Sequence, residues 1–237
     1  VYLKREDLQS VRSYKLRGAY NLLVQLSEAE LAAGVVCSSA GNHAQGFAYA
    51  CRSLGVHGRV YVPAKTPKQK RDRIRYHGGE FIELIVGGAT YDLAAEAALA
   101  DVARTGATLV PPYDDLRTMA GQGTIAVELL EQLDTEPNLV VVPVGGGGCI
   151  SGITTYLAER TTKSAVLGVE PAGAASMMAA LAAGELVSLD HVDQFVDGAA
   201  VRRAGALPFA VLSGAGDMVS VTTVDEGAVC TAMLDLY

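Results

Sequence analysis

Short Val-rich runs alternate with helical patterns along this chain, and that alternation limits its fold more than any other feature. The runs cover residues 34–37, 59–62, 81–86, 108–110, 139–144 and 166–170. Such runs are expected of strands covered on both faces. Helical patterns lie between them, over roughly 42–54, 67–76, 90–104, 119–133, 149–159 and 174–182. Strand–helix alternation predicts the α/β class, with an open, largely parallel sheet and helices on both faces. The stretch Val110-Pro111-Pro112-Tyr113-Asp114-Asp115 reads as a break where the chain crosses between domains, since adjacent prolines end a strand and the acids after them are solvated. No fixed-period repeat stands out. The chain opens on Val1 in a strand-like VYLK and closes at Tyr237 within a helical pattern, which leads us to expect a fragment incomplete at both ends.

Composition narrows the function classes. With 237 residues, half of them apolar, the chain can bury one large core or two smaller ones. It has no run of eighteen uncharged apolar residues and no basic-then-apolar leader, so a soluble, cytoplasmic protein without a membrane partner is expected. A formal charge of -7 argues against nucleic acid as the partner. The basic stretch Lys65, Lys68, Lys70, Arg71, Arg73 and Arg75 has no interleaved aromatics and reads as a solvated helix face. The four cysteines, Cys37, Cys51, Cys149 and Cys230, are scattered without zinc spacing and read as buried small hydrophobes in a reducing compartment.

Two glycine loops sit where such sheets bind ligands, outside the carboxyl ends of strands. The run 139–144 passes directly into Gly145-Gly146-Gly147-Gly148-Cys149, where a helix can begin. Without side chains in the way, successive N–H groups and the helix's positive end can surround a phosphate. A tight turn that binds nothing is the alternative, but four glycines exceed what a turn requires and each costs conformational entropy. The second loop, Ser38-Ser39-Ala40-Gly41-Asn42-His43, opens the helix expected from residue 42. Ser39 and Asn42 are helix-capping residue types, and a cap alone would explain one of them. Together they offer hydroxyl, amide and backbone donors suited to a small carboxylate. His43, like His57, His77 and His191, reads as a packed or hydrogen-bonded histidine rather than a catalytic one.

Lys15, in Ser13-Tyr14-Lys15-Leu16-Arg17-Gly18-Ala19, gains its interest from these loops, since an isolated lysine is usually a solvated charge. A nucleophilic amine, a carboxylate loop and a phosphate cup point to pyridoxal 5'-phosphate: the lysine reacts with the aldehyde, the cup holds the phosphate, and the ring acts as electron sink.

The runs SYKLRGAYN, SSAGNHAQG, VVPVGGGGCISG and FVDGAAV, in this order, resemble the threonine dehydratase branch of the tryptophan-synthase-like (fold type II) pyridoxal phosphate enzymes. The similarity extends through nearly the whole chain and is closest to the biosynthetic threonine ammonia-lyases. The resemblance implies that Lys15 is the cofactor-bearing lysine and that Asn42 bonds the ring hydroxyl. It implies that Gly145, Gly146, Gly147, Gly148 and Cys149 hold the phosphate, and that Gly198 lies beside the ring. Ser39, Gly41 and Asn42 would grip the substrate carboxylate. The family fold, α/β with two open, largely parallel twisted sheets and helices on both faces, divides the chain into 1–33 and 116–237, both from a large domain, and 34–115, a small mobile one. The implied reaction is the dehydration and deamination of L-threonine to 2-oxobutanoate and ammonia, the first step of isoleucine biosynthesis. L-serine would be a secondary substrate, and the enzyme would be a homo-oligomer.

Departures from relatives sharpen this expectation. Serine racemases carry a serine before the Gly-Asn of the carboxylate loop, and it serves as the base on the opposite face; here the position is Ala40. They also bind a divalent metal through a glutamate and an aspartate six residues later. Here Glu170 is followed at that spacing by Ser176, so no metal is expected. The family's serine near the pyridine nitrogen lies C-terminal to all residues present. Two rival readings are a non-catalytic fragment that binds amino acid or cofactor, and a nicotinamide-dependent dehydrogenase. The second rests on Gly145-x-Gly147 with Glu170 about twenty residues on to hold a ribose, but Ile150 replaces the third glycine of that motif.

Overall fold

The computed structural model describes residues 1–160 and 163–236; Tyr237 lies outside them. Packing divides the chain into two units, Val1–Pro112 and Tyr113–Tyr237. Among the described residues no helix is long and apolar enough to cross a membrane.

The first unit is built on four parallel strands, β1 (Val35–Ser38), β2 (Gly58–Val62), β3 (Ile82–Val86) and β4 (Thr108–Leu109). Its helices are α1 (Lys15–Leu23), α2 (Glu28–Ala33), α3 (Asn42–Leu54), α4 (Lys68–Gly78) and α5 (Tyr91–Thr105). Strand side chains alternate between faces, and both faces of β1 are filled. Val35 and Cys37 join Ala44, Phe47 and Cys51 of α3 and Ala19, Leu22 and Leu23 of α1 in one core. Val36 turns the other way, into a smaller cluster with Tyr61 of β2 and Ala98 of α5. Burial on both sides is why these runs read as continuously apolar rather than alternating.

The strand order is β3-β2-β1-β4. From β1 the chain steps outward through β2 to β3; α5 then carries it back, over the opposite face, to β4 on the far side of β1. The loops after β1 and after β4 therefore flank the point where the winding reverses, the crevice that open parallel sheets use for ligands.

The second unit holds the parallel strands β5 (Leu139–Pro143), β6 (Ala165–Pro171) and β7 (Val219–Val224), in the order β5-β6-β7. Its helices are α6 (Leu116–Gln132), α7 (Gly148–Arg160), α8 (Ser176–Ala183), α9 (Ala206–Gly214) and α10 (Glu226–Leu236). Helices α6 and α7 cross at glycines. A Cβ on Gly152 would fall onto the carbonyl oxygen of Met119 and within 2.8 Å of the Gly123 nitrogen, so the backbones touch with no room for a methyl group.

The α/β class, the parallel pairing and the helices on both faces agree with the sequence reading, and α3 starts and stops where its apolar pattern does. Several elements differ. VYLK is not a strand: residues 1–5 carry no regular structure and Glu6–Leu8 form a 3₁₀ turn. That segment is held by a bidentate ion pair between Glu6 and Arg17 (2.8 Å), whose side chains are only 15% and 10% exposed. Helices α1, α2 and α9 and strand β7 were not anticipated. Cys37, Cys51 and Cys149 are buried, but Cys230 is exposed on α10, a helix with no buried residue. On α4, Asp72 pairs with Lys68 (2.5 Å) and lies 3.6 Å from Arg75, which accommodates the basic stretch as a largely solvated face.

Gly152→Ala should lower the unfolding free energy by about 1–3 kcal/mol, the usual cost of overpacking a contact that cannot yield. Gly214→Ala, where an added Cβ meets nothing within 4 Å, should stay within about 0.5 kcal/mol of the parent. Urea denaturation of the two variants checks the difference.

Candidate active site

Lys15 is the first residue of α1, and its backbone N–H donates to the hydroxyl oxygen of Ser13 (3.1 Å). Its half-buried side chain sends Nζ to the carbonyl oxygen of Pro112 (2.9 Å), just past β4, and within 5.4 Å of the Tyr14 ring centre. The backbone around it is fixed by α3. Ideal Cβ placement on Gly46 would come within 2.7 Å of the Leu16 nitrogen and 2.8 Å of the Lys15 carbonyl carbon. The helix that begins at the carboxylate loop thus lies directly on the peptide of the candidate nucleophile.

The loop itself is held from three sides. Ser39 N–H donates to Tyr61 O (3.2 Å), extending the β1–β2 pairing by one residue. Gly41 N–H donates to Ser39 Oγ (3.2 Å), and the Tyr91 hydroxyl donates to Ser38 O (3.1 Å). Gly41 is the N-cap of α3, and no side chain caps that helix. Capping does not explain Ser39 or Asn42, then; Asn42 is exposed at the helix's first position. An uncapped N-terminus carries the positive end of the helix dipole, which suits a carboxylate.

His43 follows, only 3% exposed, with Nε2 at 2.8 Å from Val110 O. A carbonyl can only accept, so Nε2 carries the proton and Nδ1 is a bare acceptor. Burial, reinforced by the positive charge of Lys15, pushes the imidazole down from 6.5 to about 4 and keeps it neutral.

In the second unit, the glycine loop joins β5 to α7. Gly147 has φ +92°, a left-handed conformation in which other residues are strained. Its carbonyl accepts from Ser151 N–H (3.0 Å) and Ser151 Oγ–H (2.8 Å), which turns it back into α7 and directs the first-turn N–H groups out along the helix axis. Much of the space that side chains would fill is occupied by other residues. A Cβ on Gly146 would land in the Tyr113 ring, and one on Gly148 within 2.8 Å of Tyr113 Cβ. A Cβ on Gly147 would meet Met177 and Pro208. Gly145 lies against Ala199, since a Cβ there would be 3.1 Å from its Cα. Gly198, the residue before, is exposed. Asp114 supports the same wall by accepting from the N–H groups of Ala206 (3.0 Å) and Leu207 (2.8 Å) at the start of α9.

Of the residues singled out from sequence, Lys15, Ser39, Gly41 and Asn42 therefore share the first unit, gathered where α1 crosses the start of α3. Gly145, Gly146, Gly147, Gly148, Cys149 and Gly198 share the second. Glu170 does not face a ligand position: it is fully buried, its oxygens accept from Met177 N–H (2.9 Å) and Met178 N–H (2.8 Å), and it caps α8. Fully buried beneath α8, it offers no hold for a ribose. Sequence reasoning missed Gly46, Tyr113 and Tyr91. Only Gly46 left a signal, since a glycine in mid-helix costs about 1 kcal/mol relative to alanine and usually has a packing reason.

Residues 1–237 match the family described as "Pyridoxal-phosphate dependent enzyme". The chain belongs to that family. Within this pyridoxal-phosphate dependent family it is similar to the protein named "L-threonine dehydratase biosynthetic IlvA" of Mycobacterium tuberculosis strain H37Rv, with 87% identity across all of this chain and 55% of the relative. It spans about half the length of the curated relatives it matches. Among solved structures it resembles the processed form of threonine deaminase isoform 2 from Solanum lycopersicum, with a TM-score of 0.94 and 41% identity over all of this chain and 67% of that one. Serine racemase from Dictyostelium discoideum gives a TM-score of 0.87 and 32% identity, covering 97% of this chain and 72% of that one. The donor set fits the family's cofactor. The first unit offers a half-buried primary amine beside the Pro112 carbonyl, and the second offers a run of four glycines at the start of α7, a helix N-terminus of the kind that binds phosphate.

Gly46→Ala should force the Lys15–Leu16 peptide away from α3 and weaken uptake of pyridoxal phosphate by ~10-fold or more, the equivalent of about 1.4 kcal/mol of misplacement. Titration of cofactor absorbance measures it. A His43 held neutral adds stability above its unfolded value of 6.5, and that stability is lost as pH falls through about 4. NMR titration of the ring protons should accordingly find His43 still neutral at pH 5.

Proposed function

We propose that the full-length protein containing this chain is a threonine ammonia-lyase, converting L-threonine to 2-oxobutanoate and ammonia. The observation that carries the reading is the docking of Lys15 on Gly46, which ties a primary amine to the helix whose uncapped N-terminus follows Ser39 and Gly41. The similarity to proteins named L-threonine dehydratase and threonine deaminase supports the choice of substrate.

In this reading Lys15 would hold the cofactor and Gly145, Gly146, Gly147, Gly148 and Cys149 would present N–H groups to its phosphate, with Gly198 beside the ring. When bound, pyridoxal phosphate supplies an aldehyde for the lysine and an electron sink for charge developing at the substrate α-carbon. Ser39, Gly41 and Asn42 bind the substrate carboxylate at the positive end of α3, and Asn42 also bonds the ring hydroxyl. The Lys15 amine would remove the α-proton at Nζ, acting as general base. Loss of the β-hydroxyl follows, and hydrolysis of the released enamine yields the keto acid and ammonia. Ala40 has no hydroxyl to serve as a base on the opposite face, which favours elimination over racemisation. The same proposal includes a homo-oligomeric, cytoplasmic enzyme of isoleucine biosynthesis. It includes the family partition of 1–33 and 116–237 against 34–115, which differs from the grouping by packing, where α1 goes with α3.

Purified full-length protein loaded with pyridoxal phosphate should release 2-oxobutanoate from L-threonine, and Lys15→Ala should abolish it. L-serine, which lacks one methyl group, should react ~10- to 200-fold less efficiently. Absence of keto acid from the cofactor-loaded full-length protein would sink the proposal.

A further inference from the structure

We infer that His43 is a positioning residue for the amino-acid site, holding the first turn of α3 against the strand exit that receives Lys15. The inference rests on the reading above that Ser39, Gly41 and Asn42 bind an amino-acid carboxylate.

Three observations carry it. First, His43 occupies the first turn of α3, one residue after Asn42, and its Nε2–H reaches Val110 O at 2.8 Å. Val110 lies two residues before Pro112, whose carbonyl accepts from Lys15 Nζ. One tripeptide, Val110-Pro111-Pro112, therefore receives both the helix that carries the loop and the lysine. Because α3 has no side-chain cap, this bond, with that from Arg73 Nε to Gln45 Oε1 (2.9 Å), is what ties its first turn by polar contact, and it alone of the two reaches the strand exit. Second, the ring is buried and, among the described residues, Nδ1 has no hydrogen-bond partner. An unpartnered acceptor in the interior costs about 1–3 kcal/mol, so an imidazole is an expensive choice if packing alone were needed; a phenyl ring would fill the space. The Nε2–H donor is what distinguishes it. Third, its surroundings require a neutral donor. The charged group acting on it is Lys15, and a second cation there would repel the lysine. An arginine or lysine at this position would reach Val110 but bring that charge, whereas a neutral imidazole does not.

The placement predicts how variants divide. The Nε2–H of glutamine occupies nearly the same position as that of histidine. Asparagine is a carbon shorter and falls short of Val110. Phenylalanine keeps the volume without the donor. Binding is read with L-alanine, which has no β-hydroxyl to lose, through the change in cofactor absorbance of the full-length protein loaded with pyridoxal phosphate. This readout holds whether or not threonine is turned over, so failure here is distinct from failure of the proposed reaction. His43→Gln should bind L-alanine within ~3-fold of the parent, while His43→Phe and His43→Asn should bind ~10-fold more weakly or worse. With L-threonine the loss should fall on KM more than on kcat, because the loop rather than the lysine is displaced. A His43→Phe protein that binds L-alanine as the parent does, or a His43→Gln protein as impaired as His43→Phe, overturns the inference. Should His43→Phe not fold, the Asn and Gln variants decide it, and equal binding by those two counts against it.

Discussion

The architecture of the candidate site depends on one contact between backbones: Gly46 of α3 against the peptide joining Lys15 to Leu16. No Cβ fits there, since it would stand 2.7 Å from the Leu16 nitrogen. Because α3 begins where β1 ends, the close approach transfers the precision of the sheet to α1. Lys15 is then the first residue of a helix whose buried face, Ala19, Leu22 and Leu23, locks into the core formed with Phe47 and Cys51. Long flexible lysines are poor candidates for fixed chemistry unless something limits where they start. Here the start is fixed by packing, and the end by the Pro112 carbonyl.

The two loops solve related problems by different means. The loop before α3 leaves its helix uncapped and is held by backbone and hydroxyl bonds to β2 and α5, which keeps the positive helix end available. The loop before α7 is packed by side chains. Tyr113, Met177 and Pro208 fill the places where side chains on Gly146, Gly147 and Gly148 would go. The glycines are thus needed for the packing of these side chains as well as for any anion. Glu170 is a further case of a residue whose chemistry is spent on structure. Burial raises its carboxyl above the usual range while the N–H groups of Met177 and Met178 pull it down, and it serves as a buried cap for α8.

Much of this was legible in the sequence where local pattern and fold agree. The boundaries of α3 follow from apolar spacing and from Gly55, which closes the helix at φ +68°. The short strands follow from their Val-rich runs, and the glycine loop from its position after β5. What was not legible depends on contacts distant in sequence. VYLK has strand propensity but no strand partner, and its neighbour Glu6 is committed instead to Arg17. Strand β7, VSVTTV, mixes small polar residues into its run and is recognisable only beside β6. Helix α2 was overlooked despite a readable signal, the capping box of Ser27 with Glu30. Tyr113 and Tyr91 act through residues many positions away, so no spacing rule marks them. The strand order β3-β2-β1-β4 likewise emerges only from pairing, and it is what brings the exits of β1 and β4 together around Lys15 and His43.

Lys15, among all the lysines of the chain, is the one proposed to bear the cofactor. Reduction of the pyridoxal-phosphate-loaded full-length protein with borohydride, followed by peptide mapping, tests it most directly. A single phosphopyridoxyl group is expected on the peptide containing Lys15. A label on Lys65, Lys68 or Lys70 of the basic stretch instead, or none on Lys15, would contradict it.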